Sequence, residues 1–201
     1  QGLVQLGWDI ISTGGTAAAL KAAGVPVQAV ESVTKFPEML DGRVKTLHPM
    51  VHGGLLGRRD NPVHLRAMEE HGITPIDLVA VNLYPFRATI SQPDVSFEDA
   101  IENIDIGGPS MLRSAAKNHE FVLPVVEPSD YAEVLALLRA GAIPVETRRA
   151  YAAKVFAHTA DYDSAIAAYL TPREDGLPAR LGGSLERMAS LRYGENPQQR
   201  A

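Results

Sequence analysis

Cysteine is absent from the 201 residues, so disulfides, thiolate metal sites and cysteine nucleophiles are all excluded. A chain without cysteine also suits a reducing compartment, and a cytoplasmic location is expected. Aromatic residues are scarce at 6%, with a single tryptophan. No apolar run approaches the roughly 20 residues that cross a bilayer, and no basic-then-apolar leader opens the chain, so no membrane partner is expected. There is no excess of positive charge either. The formal charge of -5 speaks against a nucleic-acid binder that relies on broad positive potential. A phosphorylated metabolite needs only two or three local cations and stays open. What the chain does have is 45% hydrophobic residues, enough for an ordinary core.

Residue 1 is Gln rather than Met, and Leu3, Leu6 and Gly7 read as the last turn of a helix and its terminating glycine. A helix tail without a start leads us to expect a strand and the first part of that helix upstream. Beyond it, short β-rich runs at 8–12, 25–30, 77–82 and 121–126 alternate with helical stretches at 16–23, 63–71, 97–104, 110–118 and 129–138. The run at 77–82 is almost wholly apolar, as in a strand buried on both faces. Alternation of this kind predicts an α/β fold in three layers, a mostly parallel sheet flanked by helices. Its ligands would sit at the carboxyl ends of the strands. From 144 to 170, Val145, Tyr151, Val155, Thr159, Tyr162, Ile166 and Tyr169 recur near a 3.6-residue period, predicting one long helix. It packs on its own sheet or builds a dimer interface. The domain spans 1–170, and the Pro- and Gly-rich stretch that follows reads as a linker over 171–190.

Four segments could carry chemistry. STGGT at 12–16 ends a strand and opens a helix, so Gly14 and Gly15 let backbone amides approach an anion at the helix N-terminus. The same turn also serves as plain structure, and no Walker lysine follows it. In the block at 42–48, Arg43 and Lys45 alternate, so an extended loop projects both to one side. Arginine offers phosphate a bidentate fork, and lysine offers a point charge. His48 and His52 would face one side of a helix, but Pro49 and the glycines around them argue against one, and no metal is expected. Asn82 and Tyr84 follow the buried strand, where a parallel sheet presents its groups; a core tyrosine is the plainer alternative. Asp105 lies between isoleucines before a Gly-Gly turn and is expected to be partly buried. Lys117 lies at the far end of the helix that follows, so the two share a pocket only if the fold brings Lys117 back.

With the block FPEMLDGRVKTLHP at 36–49, and with NLYPF at 82–86, IDIGG at 104–108 and AAKNH at 115–119, these segments closely resemble the inosine-monophosphate (IMP) cyclohydrolase domain of the AICAR transformylase/IMP cyclohydrolase family. They follow that family's order over 8–169. The resemblance implies a methylglyoxal-synthase-like fold, a homodimer, and no metal or organic cofactor. It implies closure of the second purine ring, in which the formylated precursor FAICAR loses water to give IMP. It assigns catalysis to Lys45, Tyr84, Asp105 and Lys117, and substrate binding to Thr13, Gly14, Gly15, Thr16, Arg43, Thr46, Asn82, Ile106 and Gly107. The stretch at 191–201 looks like the start of the transformylase domain, where Arg192 and Tyr193 would touch that domain's substrate and 10-formyltetrahydrofolate would be co-substrate. The Ser-Val-x-Asp-Lys stretch of the family's first strand is not in this sequence. Two rivals share the fold: a methylglyoxal-synthase-type lyase and a nucleotide-sensing regulatory domain. The long block at 36–49 does not look like the lyase, and a sensor needs no Tyr84, Asp105 and Lys117 set.

Overall fold

Helices are built here largely around strands that are only two or three residues long. In the computed structural model, which describes residues 1–171 and 182–183, the order is α1 (Gly2–Gln5), β1 (Ile11–Ser12), α2 (Gly14–Ala22), β2 (Gln28–Ala29), α3 (Val30–Thr34), α4 (Pro49–Leu56), α5 (Pro62–Glu70) and β3 (Leu78–Ala80). It continues with α6 (Phe86–Ile90), α7 (Phe97–Glu102), α8 (Gly107–Lys117), β4 (Leu123–Val125), α9 (Tyr131–Arg139) and α10 (Val145–Leu170). The chain divides into two units, residues 1–159 and 160–201.

In the first unit β1 pairs with β2 and β3 with β4, both parallel. The parallel α/β character matches the expectation. The expected single sheet is instead two two-stranded pairs, and residues of both β1 and β3 line one cavity. Pro124 sits inside β4 at no cost to this ladder. Leu123 donates to Asp77 and Val125 accepts from Val81 (2.8 and 3.1 Å), so the proline faces away from β3. The main core gathers Val30, Leu55, Val79, Leu112, Val122 and Val155, and a second cluster packs Tyr151 of α10 against Leu123 and Val125 of β4. The first half of α10 therefore covers its own strand pair, with Val155 and Thr159 fully buried, while Val145 is half exposed. The second unit holds the remaining turns of α10, in which Tyr162 and Ala165 are buried.

Helix α4 was not expected, because Gly53 and Gly54 lower helix propensity and Pro49 precedes them. Pro49 instead takes the first helical position, where its missing N–H costs nothing, and Nδ1 of His48 caps the helix by accepting from Met50 N–H (3.2 Å). The glycines allow close approach: a Cβ on Gly54 would lie 2.5 Å from the carbonyl oxygen of Thr74, and one on Gly53 would lie 2.8 Å from Ile73. His52, one turn after the cap, meets Ser114 Oγ at 3.0 Å instead of pairing with His48. The expected linker at 171–190, apart from Thr171, Gly182 and Gly183, lies outside the described residues. So does all of 191–201, with Arg192 and Tyr193.

Candidate active site

Helix α2 starts earlier than its sequence suggested, taking both glycines into its first turn. Thr13 is the capping residue but makes no side-chain cap bond, and the first turn holds no acidic residue. The amides of Gly14, Gly15 and Thr16 precede the first intrahelical bond, from Ala17 to Thr13, and so remain as donors at a positive helix end. They line a cavity of about 1140 Å³ at the carboxyl ends of β1 and β3.

Three more segments close on the same cavity. The first is a tight loop pinned by Met39 and Val44, whose backbones exchange hydrogen bonds (3.1 and 3.3 Å). Leu40 and Asp41 within it both adopt the left-handed conformation (φ 54°). This is not the extended loop expected, and Arg43 and Lys45 go to different places. The Arg43 guanidinium forks onto Glu102, and that hydrogen bond, then the carboxylate's charge, holds its pKa above the ordinary value. The Lys45 ammonium lies between two glycines, 3.7 Å from where a Cβ of Gly14 would stand and 3.4 Å from that of Gly42. Lysine rather than arginine thus sits at the amide turn. Thr46, next along, is buried, and its hydroxyl abuts Gly107, where a Cβ would stand 2.6 Å away.

After β3, Asn82 donates through Nδ2 to the Val126 carbonyl (3.2 Å) and accepts at Oδ1 from the Tyr131 hydroxyl (3.0 Å). Tyr84 is 49% exposed and lines the cavity, so it is not a core tyrosine. Finally, the turn from α7 to α8 brings in Asp105, Ile106 and Gly107. Asp105 is half-buried, and its Oδ1 accepts from Gly108 N–H (2.8 Å), fixing the carboxylate at the start of α8. A Cβ on Gly108 would lie 2.5 Å from the other carboxylate oxygen, so a side chain there would displace the Asp105 carboxylate.

Of the thirteen site residues assigned within 1–170, twelve therefore line one cavity. Lys117 does not. Helix α8 runs about 15 Å from Gly107 to Lys117 at 1.5 Å per residue, and Lys117 lines a separate cavity at the far end. The sharing of one pocket by Asp105 and Lys117 does not occur within this chain. Glu102 and Tyr131 are cavity residues that sequence reading missed. Glu102 lies three residues before Asp105, which was a usable signal; Tyr131 carried none. Among the described residues, no three His, Asp or Glu side chains gather as a metal site, and no helix is long and apolar enough to cross a membrane.

Residues 1–110 match the MGS-like domain, and residues 115–201 match the AICARFT/IMPCHase bienzyme. The chain is 60% identical to the bifunctional purine biosynthesis protein PurH of Streptococcus mutans, over 100% of this chain and 39% of that protein. It is equally similar (60%) to PurH of Lysinibacillus sphaericus, over 99% of this chain and 39% of the relative. The chain thus spans about two fifths of the length of these curated relatives. The crystal structure of ForH superimposes with a TM-score of 0.76 at 43% identity, covering 83% of this chain and 86% of that one.

Proposed function

This chain belongs to the MGS-like domain family, in its AICARFT/IMPCHase bienzyme branch, and from that membership we propose that it is an IMP cyclohydrolase, closing FAICAR to IMP in purine biosynthesis. One observation supports this above the rest: segments far apart in sequence (12–16, 43–46, 82–84 and 105–107) converge on one cavity. That cavity offers a helix N-terminus for a phosphate and a lysine, a tyrosine and an aspartate for proton transfer.

The reaction dictates what is needed. A carboxamide nitrogen, a poor nucleophile, attacks a formamide carbon of the same molecule, and water leaves. Holding the two arms in register is worth up to roughly 7–11 kcal/mol, as in well-oriented intramolecular reactions. The Gly14, Gly15 and Thr16 amides grip the phosphate, with Thr13, Thr46 and the Lys45 ammonium beside them. Lys45 also stabilises the developing oxyanion or protonates the departing hydroxyl. Asp105 orients the carboxamide and takes its proton, and Tyr84 completes the relay. Asn82, Ile106 and Gly107 shape the base-binding wall. Arg43 adds a phosphate contact once Glu102 releases it. A homodimer, the absence of a cofactor and a cytoplasmic location belong to the same reading. In a protein as long as the curated relatives, a transformylase using 10-formyltetrahydrofolate would follow this domain.

Incubating the protein with FAICAR and following IMP by absorbance tests the proposal. Lys45→Ala should lower turnover by about 10² or more, the usual scale for a lost oxyanion or acid–base group, and exceed any loss of affinity. Near-normal turnover in that variant removes Lys45 from the chemistry. No IMP from the intact protein favours the nucleotide sensor, and methylglyoxal from a triose phosphate favours the lyase.

A further inference from the structure

Strands β3 and β4 run parallel, so their carboxyl ends emerge side by side, and the junction there fixes the direction of two hydrogen bonds. Asn82, beyond β3, donates through Nδ2 to the Val126 carbonyl at 3.2 Å. A carbonyl can only accept, so the amide cannot be turned round, and Oδ1 must face the Tyr131 hydroxyl 3.0 Å away. An amide oxygen can only accept as well. The Tyr131 hydroxyl therefore gives its single proton to Asn82 and keeps only lone pairs for any other partner. Tyr131 is 42% exposed and lines the same cavity as Lys45, Tyr84 and Asp105.

This hydroxyl is also held from behind. Tyr131 opens α9, and the turn before it carries Glu127 and Asp130, which Lys154 of α10 bridges at 2.6 and 2.8 Å. Hydrogen bonds to Asp130 and then to Glu127 push the Lys154 pKa up to about 12, so the clamp stays charged across the ordinary pH range. A hydroxyl on a pinned turn, with its proton already engaged, is an acceptor set in place before a ligand arrives. A ligand that meets it must bring an N–H or an O–H.

We propose that Tyr131 is a specificity-determining residue of this cavity, its hydroxyl accepting from the amide N–H of the purine precursor and from the ring N–H that it becomes. The inference rests on the cyclisation reading and deepens it. In that reaction the carboxamide nitrogen of FAICAR starts with two N–H bonds. One proton leaves through Asp105 as the C–N bond forms, the formamide nitrogen gives up another, and the formyl oxygen carries both away as water. The second carboxamide hydrogen stays and becomes the ring N–H of IMP. Tyr131 holds the hydrogen that stays, which turns the other towards Asp105. It neither gains nor loses a proton, and because its bond lasts from substrate to product it adds to affinity rather than to turnover.

Purine riboside 5′-monophosphate shares the sugar and phosphate of IMP but has a bare ring nitrogen in place of that N–H, so its lone pair would face those of the hydroxyl. Tyr131→Phe keeps the ring and removes only an exposed hydroxyl, and a thermal melt checks the fold. In calorimetric titration IMP should bind the variant about tenfold more weakly, the scale of one lost hydrogen bond. Purine riboside 5′-monophosphate should bind it within about twofold of the parent, or better, since no bond is lost. In steady-state kinetics KM for FAICAR should rise about tenfold while kcat stays within about threefold. An equal loss for both nucleotides, which a merely structural hydroxyl would give, overturns the role of Tyr131, and so does an unchanged affinity for IMP. If the intact protein binds IMP but forms none from FAICAR, the cyclisation reading falls while the two affinities still decide Tyr131; if it binds no IMP, both fall.

Discussion

Asp105 holds two jobs in one carboxylate. Its Oδ1 accepts from Gly108 N–H at 2.8 Å and so starts α8, while in the proposed reaction the same group takes a proton. Substitution separates the two. Asp105→Asn keeps an oxygen for the amide and should leave stability within about 0.5 kcal/mol, yet it should lower turnover by 10² or so because a neutral amide is no base. Asp105→Ala should lose the same activity and also about 1 kcal/mol of stability, the typical worth of such a cap. Paired urea denaturation and FAICAR kinetics check both; equal stability of the two variants would show that the cap contributes nothing.

At the scale of elements, two contacts of α4 decide two outcomes, one with the segment before β3 and one with α8. An exposed helical glycine usually gains stability on becoming alanine. Gly54 should do the opposite, because its Cβ would stand 2.5 Å from a backbone carbonyl that cannot swing aside. Gly54→Ala should cost roughly 1–3 kcal/mol, the range for overpacking, read from the shift in denaturation midpoint. His52 lies on the side of α4 that meets α8. Its Nδ1 meets Ser114 Oγ, its Nε2 is buried without a partner, and burial lowers its pKa below the ordinary value. The unfolded chain therefore binds the proton more readily than the folded one. His52 favours the fold fully above the ordinary histidine value of about 6.5, and that contribution is lost as pH falls below it towards the depressed folded value. Melting temperature measured from pH 7.5 to 5 should fall, and His52→Gln should flatten the curve. A parallel curve in the variant would place the pH dependence elsewhere.

At the scale of the whole molecule, one buried side-chain amide ties distant parts of the chain together. Asn118, buried at the end of α8, donates through Nδ2 to the carbonyls of Leu55 (2.8 Å) and Gly57 (3.1 Å), across 63 and 61 residues. Those carbonyls close α4, so one amide locks the helix that follows the Lys45 loop to the helix that starts at Asp105. Asn118→Ala should leave acceptors unsatisfied in the interior and cost roughly 1–3 kcal/mol. Because the lock lies at the end of α8 away from the Lys45 cavity, surviving protein should keep its affinity for FAICAR. Calorimetric melting with a substrate titration separates these effects.

Much of this was already legible in the order of residues. Short β-rich runs placed the four strands of the described residues, and a 3.6-residue period located the long helix, because side-chain shape and backbone geometry act locally. Strand ends were not legible: 77–82 shrank to Leu78–Ala80, since a ladder extends only as far as its neighbour. The turn at Gly14 was readable as anion geometry because glycine is a local signal. Helix α4 was hidden, as close packing on Thr74 and Ile73, not propensity, makes its glycines useful. The sequence by itself determined the α/β class, the amide turn and the residue types that reach the cavity. Only the tertiary structure decided that Lys45 sits at the amide turn while Arg43 is held by Glu102, and that Lys117 faces a different cavity from Asp105. Those outcomes depend on which side chains meet across tens of residues and on the rigid length of one helix.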